Sequence, residues 1–337
     1  MNIVGKFLIQ QPKLAAQLFR PVRLINRQVK WIEDMIETPI THEDLASVRK
    51  GCDLSGVRLG EYYHWYLQKR LVSDTIRNLS REEGMSLVES VDATNYADAA
   101  EMFDTKKGVL IALPHHAHYI FSVVSIAEKL RETRPVLLFF GEPGRNPGNE
   151  IFDHMCRVFY GPGRNVDTVH DTRQGLAKTM RALKEGAAVF ILPDAFLNEE
   201  ATLAIPFCGS ALNIMLGTAI LARKTGALIQ PVLSTPHGKG FGFKTEFAPT
   251  IVHAPGVGES GIETRIRDYE VMRRIFGFYE QTMSSEIVYW QQMRRHLSQQ
   301  GVFRNLSAGQ LEKVATMLAE DPVLTGPELV VDLRAVA

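Results

Sequence analysis

Four short apolar runs constrain what this chain can fold into more than any other feature. Residues 108–113 (GVLIAL), 135–140 (PVLLFF), 187–192 (AAVFIL) and 228–233 (LIQPVL) each have the length of one buried strand. Helical patterns are predicted between them, at 120–130, 148–159, 173–185 and 214–225. Buried strands alternating with helices imply an α/β fold with a mostly parallel central sheet flanked by helices. The fourth run contains Pro231, which has no ladder donor and predicts a place near the sheet edge. Upstream, residues 39–79 read as helical, with Thr41 as N-cap before Glu43 and Asp44. Sites in such sheets gather where strands end and helices begin. That directs attention to residues 114–120 and 193–196.

Three domain-level segments are expected. Residues 39–300 form the α/β domain, and 301–337 are a C-terminal appendage with a small helix near 310–320. Residues 1–38 are a basic amphipathic N-terminal segment. Within 1–32 there are six basic residues (Lys6, Lys13, Arg20, Arg23, Arg27, Lys30) and no acidic one. Phe7, Leu8, Leu14, Leu18, Leu24 and Trp31 are among the apolar residues interleaved with them. A segment of this kind either packs on the domain with a solvated basic face or docks on an anionic membrane or an acidic carrier protein. No run approaches the roughly 18 to 20 apolar residues that span a bilayer. Lys+Arg and Asp+Glu are both 38, so the chain lacks the basic footprint of a nucleic-acid binder. Cys52, Cys156 and Cys208 are too few and too scattered for a disulfide framework or a paired zinc site. The expected location is therefore cytoplasmic, with peripheral contact to the inner membrane face through residues 1–32.

The densest chemical signal is Pro114-His115-His116-Ala117-His118-Tyr119, three histidines at the mouth of a buried strand. A histidine there suits general-base work because its unperturbed pKa lies near neutrality. The bland alternative for each ring is a helix cap or a backbone hydrogen bond. A metal reading is weaker: His115 and His118 could share a helical face, but only Asp194 offers itself as a third ligand. Asp194, in Leu192-Pro193-Asp194-Ala195-Phe196, follows another buried strand and is placed to orient a histidine. By itself it also fits a turn or cap aspartate. Glu142 is expected at the surface, His170-Asp171 at a helix start and His237 in a hairpin loop.

The order of these segments resembles the lipid A lauroyl and myristoyl acyltransferases. The run from Lys107 through Gly108 to Pro114 and His115 resembles the family's strand leading to its histidine. Arg145-Asn146-Pro147 is similar to its arginine segment, and Lys184-Glu185-Gly186 followed by Pro193-Asp194 to its glycine–strand–aspartate segment. Pro206-Phe207-Cys208-Gly209 matches Pro-Phe-x-Gly, and Ile287-Val288-Tyr289-Trp290 through Arg294-Arg295 echoes the closing aromatic-then-basic motif. The resemblance covers residues 39–297. It implies a glycerolipid acyltransferase-like fold, no cofactor and no metal. It also implies transfer of an acyl group from a thioester to an acceptor hydroxyl. The donor would be an acyl carrier protein or acyl-CoA, and the acceptor a small molecule or lipid.

In that family the motif is His, four residues, then Asp or Glu. Here His115 takes the histidine position and the acid position is Ile120; counting from His116 or His118 gives Phe121 or Val123. The family's apolar N-terminal membrane helix is also missing. An amine acceptor, which needs less deprotonation, becomes an alternative to a hydroxyl. The roles the resemblance implies are His115 as base with His116 as rival, and His118 and Asp194 orienting or polarising it. Arg145 would hold a carbonyl, phosphate or carboxylate, and Tyr119, Phe196 and Phe207 would wall the pocket. Two other readings stand beside acyl transfer. One is an inactive acyl- or carrier-binding protein, suggested by Ile120; the other is metal-assisted hydrolysis or condensation on the same scaffold.

Overall fold

The computed structural model describes residues 14, 18, 20–24, 59–144, 149–160, 163, 165–195, 202–207, 210–238, 241–254, 261–283 and 287–290. Most of the basic N-terminal segment, the helix start at Thr41, Arg145, Phe196 and the tail from 301 lie outside these residues. The chain runs through α1 (Leu59–Ile76), α2 (Arg81–Val91), α3 (Ala100–Asp104), β1 (Val109–Ala112), α4 (Tyr119–Leu130) and β2 (Val136–Phe140). It continues with α5 (Glu150–Met155), a π-helical turn (Cys156–Tyr160), β3 (Val166–His170), α6 (Arg173–Lys184) and β4 (Ala188–Ile191). A hairpin of β5 (Thr202–Phe207) and β6 (Ser210–Met215) precedes α7 (Gly217–Thr225). Then come β7 (Leu228–Pro236), β8 (Phe243–Phe247), β9 (Ile251–Val252), α8 (Gly261–Met283) and a 3-10 turn (Ile287–Tyr289).

The main sheet has the order β3-β2-β4-β1-β7-β8, with β9 also paired to β7. The pairs from β3 to β7 are parallel, and β8 and β9 run antiparallel to β7. Its strands are short and apolar because both faces are covered. Leu110, Ala112, Val189 and Ile191 point into one apolar cluster, whereas Val109, Ile111, Ala188 and Phe190 point into the other. The alternation follows from the two-residue period of a strand. This is the expected α/β architecture.

Gly108 opens β1 where the end of α6 crosses it. A Cβ there would collide with the carbonyl of Leu183. Neither backbone can yield without moving the sheet, so Gly108→Ala is expected to lower stability by about 1–3 kcal/mol in urea unfolding. An unchanged midpoint would show that the helix can shift aside.

Several elements differ from the sequence expectation. Residues 166–170 form the edge strand β3, and His170 ends it rather than starting a helix. Only Val166 and Val169 of that strand are buried, so it lacked an apolar run to reveal it. The expected helix from 214 begins at Gly217, because Ile214 pairs with Leu203 in the hairpin. A short run such as Leu212–Leu216 has no period that separates helix from strand. Pro231 sits inside the sheet, not near its edge. It falls in the gap between the residues of β7 that pair β9 (Leu228, Ile229) and those that pair β8 (Val232–Pro236), so its missing N–H interrupts neither antiparallel ladder. His237 does lie in a hairpin turn, its N–H donating to Gly242 O at 2.8 Å. Glu142 is exposed, as expected.

An ionic triad around the buried Asp268 ties α7, α8 and the end of β9 together. Arg223 donates to both oxygens of Asp268, at 2.9 and 2.8 Å, and His253 Nε2 lies 2.7 Å from Oδ1. Burial pushes the Asp268 carboxyl up, but the hydrogen bonds and charges of Arg223 and His253 outweigh it and hold the group below its usual range. Its contribution to stability is therefore fully present above the ordinary aspartate pKa and is lost as pH falls through the lower folded value. Asp268→Asn is expected to cost about 3 kcal/mol at neutral pH, because it leaves the Arg223 guanidinium without its anion and takes a carboxylate partner from His253. The wild-type advantage should shrink on acidification below about pH 4, measured by urea unfolding at each pH.

Candidate active site

Two neighbouring strands deliver the site. β1 and β4 are parallel, with Ala112 opposite Ile191, and Leu113 N–H donates to Ile191 O at 3.1 Å. Both chains then leave the sheet through a proline, Pro114 and Pro193. His115 and Asp194 each lie three residues beyond that paired position, so they emerge side by side at the carboxyl ends of the strands.

They meet through two hydrogen bonds. His115 Nδ1 lies 2.9 Å from Asp194 Oδ1, and the His115 backbone N–H donates to Oδ2, also at 2.9 Å. An ionised carboxylate only accepts, so Nδ1 carries the proton and Nε2 is the ring nitrogen left to take another. A second donor, Trp290 Nε1–H, reaches Oδ2 at 2.9 Å. Asp194 is 1% exposed. Burial pushes its carboxyl up, but the His115 imidazole and the hydrogen bonds from His115 and Trp290 prevail and hold it below its usual range. It is an anion at neutral pH, positioned to orient a histidine and to stabilise that ring when protonated.

The other histidines do different things. His116 is fully buried, and its Nδ1 lies 2.6 Å from the carbonyl of Ser234 on β7. It ties the loop to the sheet, which matches the bland alternative better than a base. His118 occupies the N-cap position of α4, and its ring packs near Phe121 and Phe241, both with centroids 5.9 Å away. Tyr119 stands edge-on to His115 at 5.1 Å. Burial, and then the charge of Asp194, push its hydroxyl well above the usual range, so it stays neutral. Ile120, at the motif acid position, is 6% exposed and buried in the apolar cluster of α4. The acid beside His115 comes from the end of β4 instead.

Behind the pair, Phe207 of β5 meets the Trp290 ring edge-on at 5.0 Å and also touches Phe276. It buttresses Trp290 at 1% exposure. Tyr279 of α8 donates to Ala112 O at 2.7 Å, just below the site. A small apolar hollow near the two strand ends is lined by residues including Leu113, Val123, Phe140, Phe152 and Leu192. Cys156 is not an activated nucleophile: burial first, then Asp167 and Asp153, push its thiol up to about 12. Among the described residues no three His, Cys, Asp or Glu side chains group to hold a metal, and no helix is long and apolar enough to cross a membrane.

Sequence reasoning found His115 and Asp194 but gave Trp290 no role. Its only signal was its place in the closing aromatic-then-basic motif. The arrangement is a histidine–carboxylate pair without a serine or cysteine nucleophile beside it among the described residues, which suits activation of an incoming acceptor. A comparison with curated proteins found no match. A model of the bacterial lipid A biosynthesis acyltransferases matches residues 87–299, well over half of the 337, and spans both strand ends and Trp290. Chain order, sheet and family match agree: the protein belongs to the bacterial lipid A biosynthesis acyltransferase family.

Proposed function

We propose that this acyltransferase moves an acyl group from a thioester, on acyl carrier protein or CoA, to an amine or hydroxyl, with His115 as general base. The observation that carries this reading is the 2.9 Å contact between His115 Nδ1 and Asp194 Oδ1. Nε2 takes the proton of the acceptor O–H or N–H as the acceptor attacks the thioester carbonyl. The tetrahedral intermediate then expels the thiolate, which takes that proton back from Nε2. Asp194 holds the ring and offsets the imidazolium charge through both steps.

Residues 1–32 support a contact with an acidic carrier or an anionic membrane surface. Leu14, Leu18 and Leu24 are 43%, 58% and 72% exposed in a segment that carries only basic charge. The competing reading, an inactive binding protein, draws on Ile120; a paired and ionised Asp194 argues against it.

The test is to incubate the protein with carrier protein or CoA bearing a labelled medium-length acyl chain, with and without a mixed pool of amines and alcohols. Acceptor-dependent thiol release, followed with intact mass, is expected. Tight donor binding without turnover would instead establish the binding protein.

A further inference from the structure

The C-terminal segment Ile287–Trp290 crosses the histidine loop and is tied to it at several points. Tyr289 O accepts the N–H of Ala117 at 3.0 Å, and His116 and Trp290 form an antiparallel bridge. Ala117 has φ +46, a left-handed conformation that an alanine adopts at a cost, so this bond holds a strained turn. On the far side, Tyr289 Oη–H donates to Glu61 Oε2 at 3.3 Å and its ring meets Trp65 edge-on. The segment therefore fastens α1 to the loop that carries His115.

Trp290 adds a polar contact to this strap. Asp194 has no exposed side-chain surface, so its orientation is set by protein donors. Oδ1 faces one donor, the His115 imidazole, whereas Oδ2 accepts two, His115 N–H and Trp290 Nε1–H. Two donors on one oxygen oppose rotation about Cβ–Cγ and keep the other oxygen on the ring. Phe207, buttressing the indole, ties this contact to the β5–β6 hairpin.

We propose that Trp290 is a positioning residue for the acyl-transfer base: its indole N–H fixes the Asp194 carboxylate so that Oδ1 holds His115 with Nε2 free to accept a proton. The inference rests on the reading of His115 as base. The titratable groups facing Asp194 are His115 itself, Tyr119 of α4 and Tyr279 of α8. Both phenols stay protonated, so His115 is the group whose titration reports on the carboxylate.

Trp290→Phe keeps an aromatic ring against Phe207 and removes the donor together with part of the indole's volume. It is expected to lower kcat about 10–100-fold, the usual effect of losing an orienting outer partner, with donor KM unchanged. Loss of the donor also concentrates the charge on Asp194 and favours the imidazolium. The acid limb of the kcat/KM profile should therefore move to higher pH. A merely structural tryptophan would lower the melting temperature and leave that limb in place. An active wild type with kcat and acid limb unchanged in Trp290→Phe overturns the inference, whereas a wild type without turnover overturns the acyl-transfer reading instead. A second measurement needs no Trp290 variant. In the wild-type protein, the indole N–H that shifts on Asp194→Asn should exchange slowly with solvent and move as His115 titrates. An indole exchanging at the rate of an exposed group, and indifferent to that titration, overturns the proposal whatever the variant does.

Discussion

Asp194→Asn is expected to lower kcat for acceptor-dependent thiol release by about 10⁴-fold, with donor KM within a few-fold of wild type. The reason is the tautomer. Asparagine fits the space and its oxygen can still accept from Trp290 and the His115 backbone, but its amide group then faces His115 Nδ1. To pair with that donor the ring must give up its proton at Nδ1 and carry it on Nε2, the nitrogen that should be receiving one. The negative charge that stabilises the imidazolium is lost as well. Rates at saturating donor, compared with melting temperature, separate this chemical effect from loss of fold. A kcat within tenfold of wild type in a folded Asp194→Asn protein would mean that the acid of this site lies elsewhere.

His115→Ala is expected to remove the base itself and to lower kcat by about 10²- to 10⁴-fold. The double variant with Asp194→Asn should be scarcely slower than the worse single variant, because the two residues act as one unit. His116→Ala provides the contrast. It loses a buried hydrogen bond to Ser234 O, so it should cost about 1–3 kcal/mol of stability while leaving kcat per folded molecule near wild type. Reversal of that pattern, with His116→Ala inactive and His115→Ala active, would transfer the role of base to the neighbouring ring.

What was legible in the sequence follows a physical line. The strands buried on both faces, such as 108–113 and 187–192, announced themselves as apolar runs. β3 did not, since an edge strand with two buried residues has no run to show. The β5–β6 hairpin was missed because its second strand ends in residues that read equally well as a helix start. Pro231 was misplaced because the rule that confines proline to edges concerns an unbroken ladder, and the change of partner from β9 to β8 breaks that ladder at this residue.

The site divides in the same way. His115 was visible because it follows the buried strand β1, and Asp194 for the same reason at the end of β4. Their contact was one expectation beside His118 as partner, and the sequence left it open because 79 residues separate the two and only the adjacency of β1 and β4 brings them together. A motif written along the sequence looks for the acid at residue 120, where this chain has isoleucine. The sheet brings one from the neighbouring strand. Trp290 is a further 96 residues on from Asp194, and a single indole in a loose terminal motif carries no mark of the carboxylate it will face.

The pairing of His115 with Asp194 is tested most directly by the tautomer of His115, read from long-range ¹H–¹⁵N spectra of imidazole-labelled protein at a pH where the ring is neutral, with His115→Ala supplying the assignment. A protonated Nδ1 and an unprotonated Nε2 are expected in the wild type, exchanging roles in Asp194→Asn. An Nε2-protonated ring in the wild type, unaffected by Asp194→Asn, would contradict that pairing, because the base would then hold its proton where the acceptor's must go.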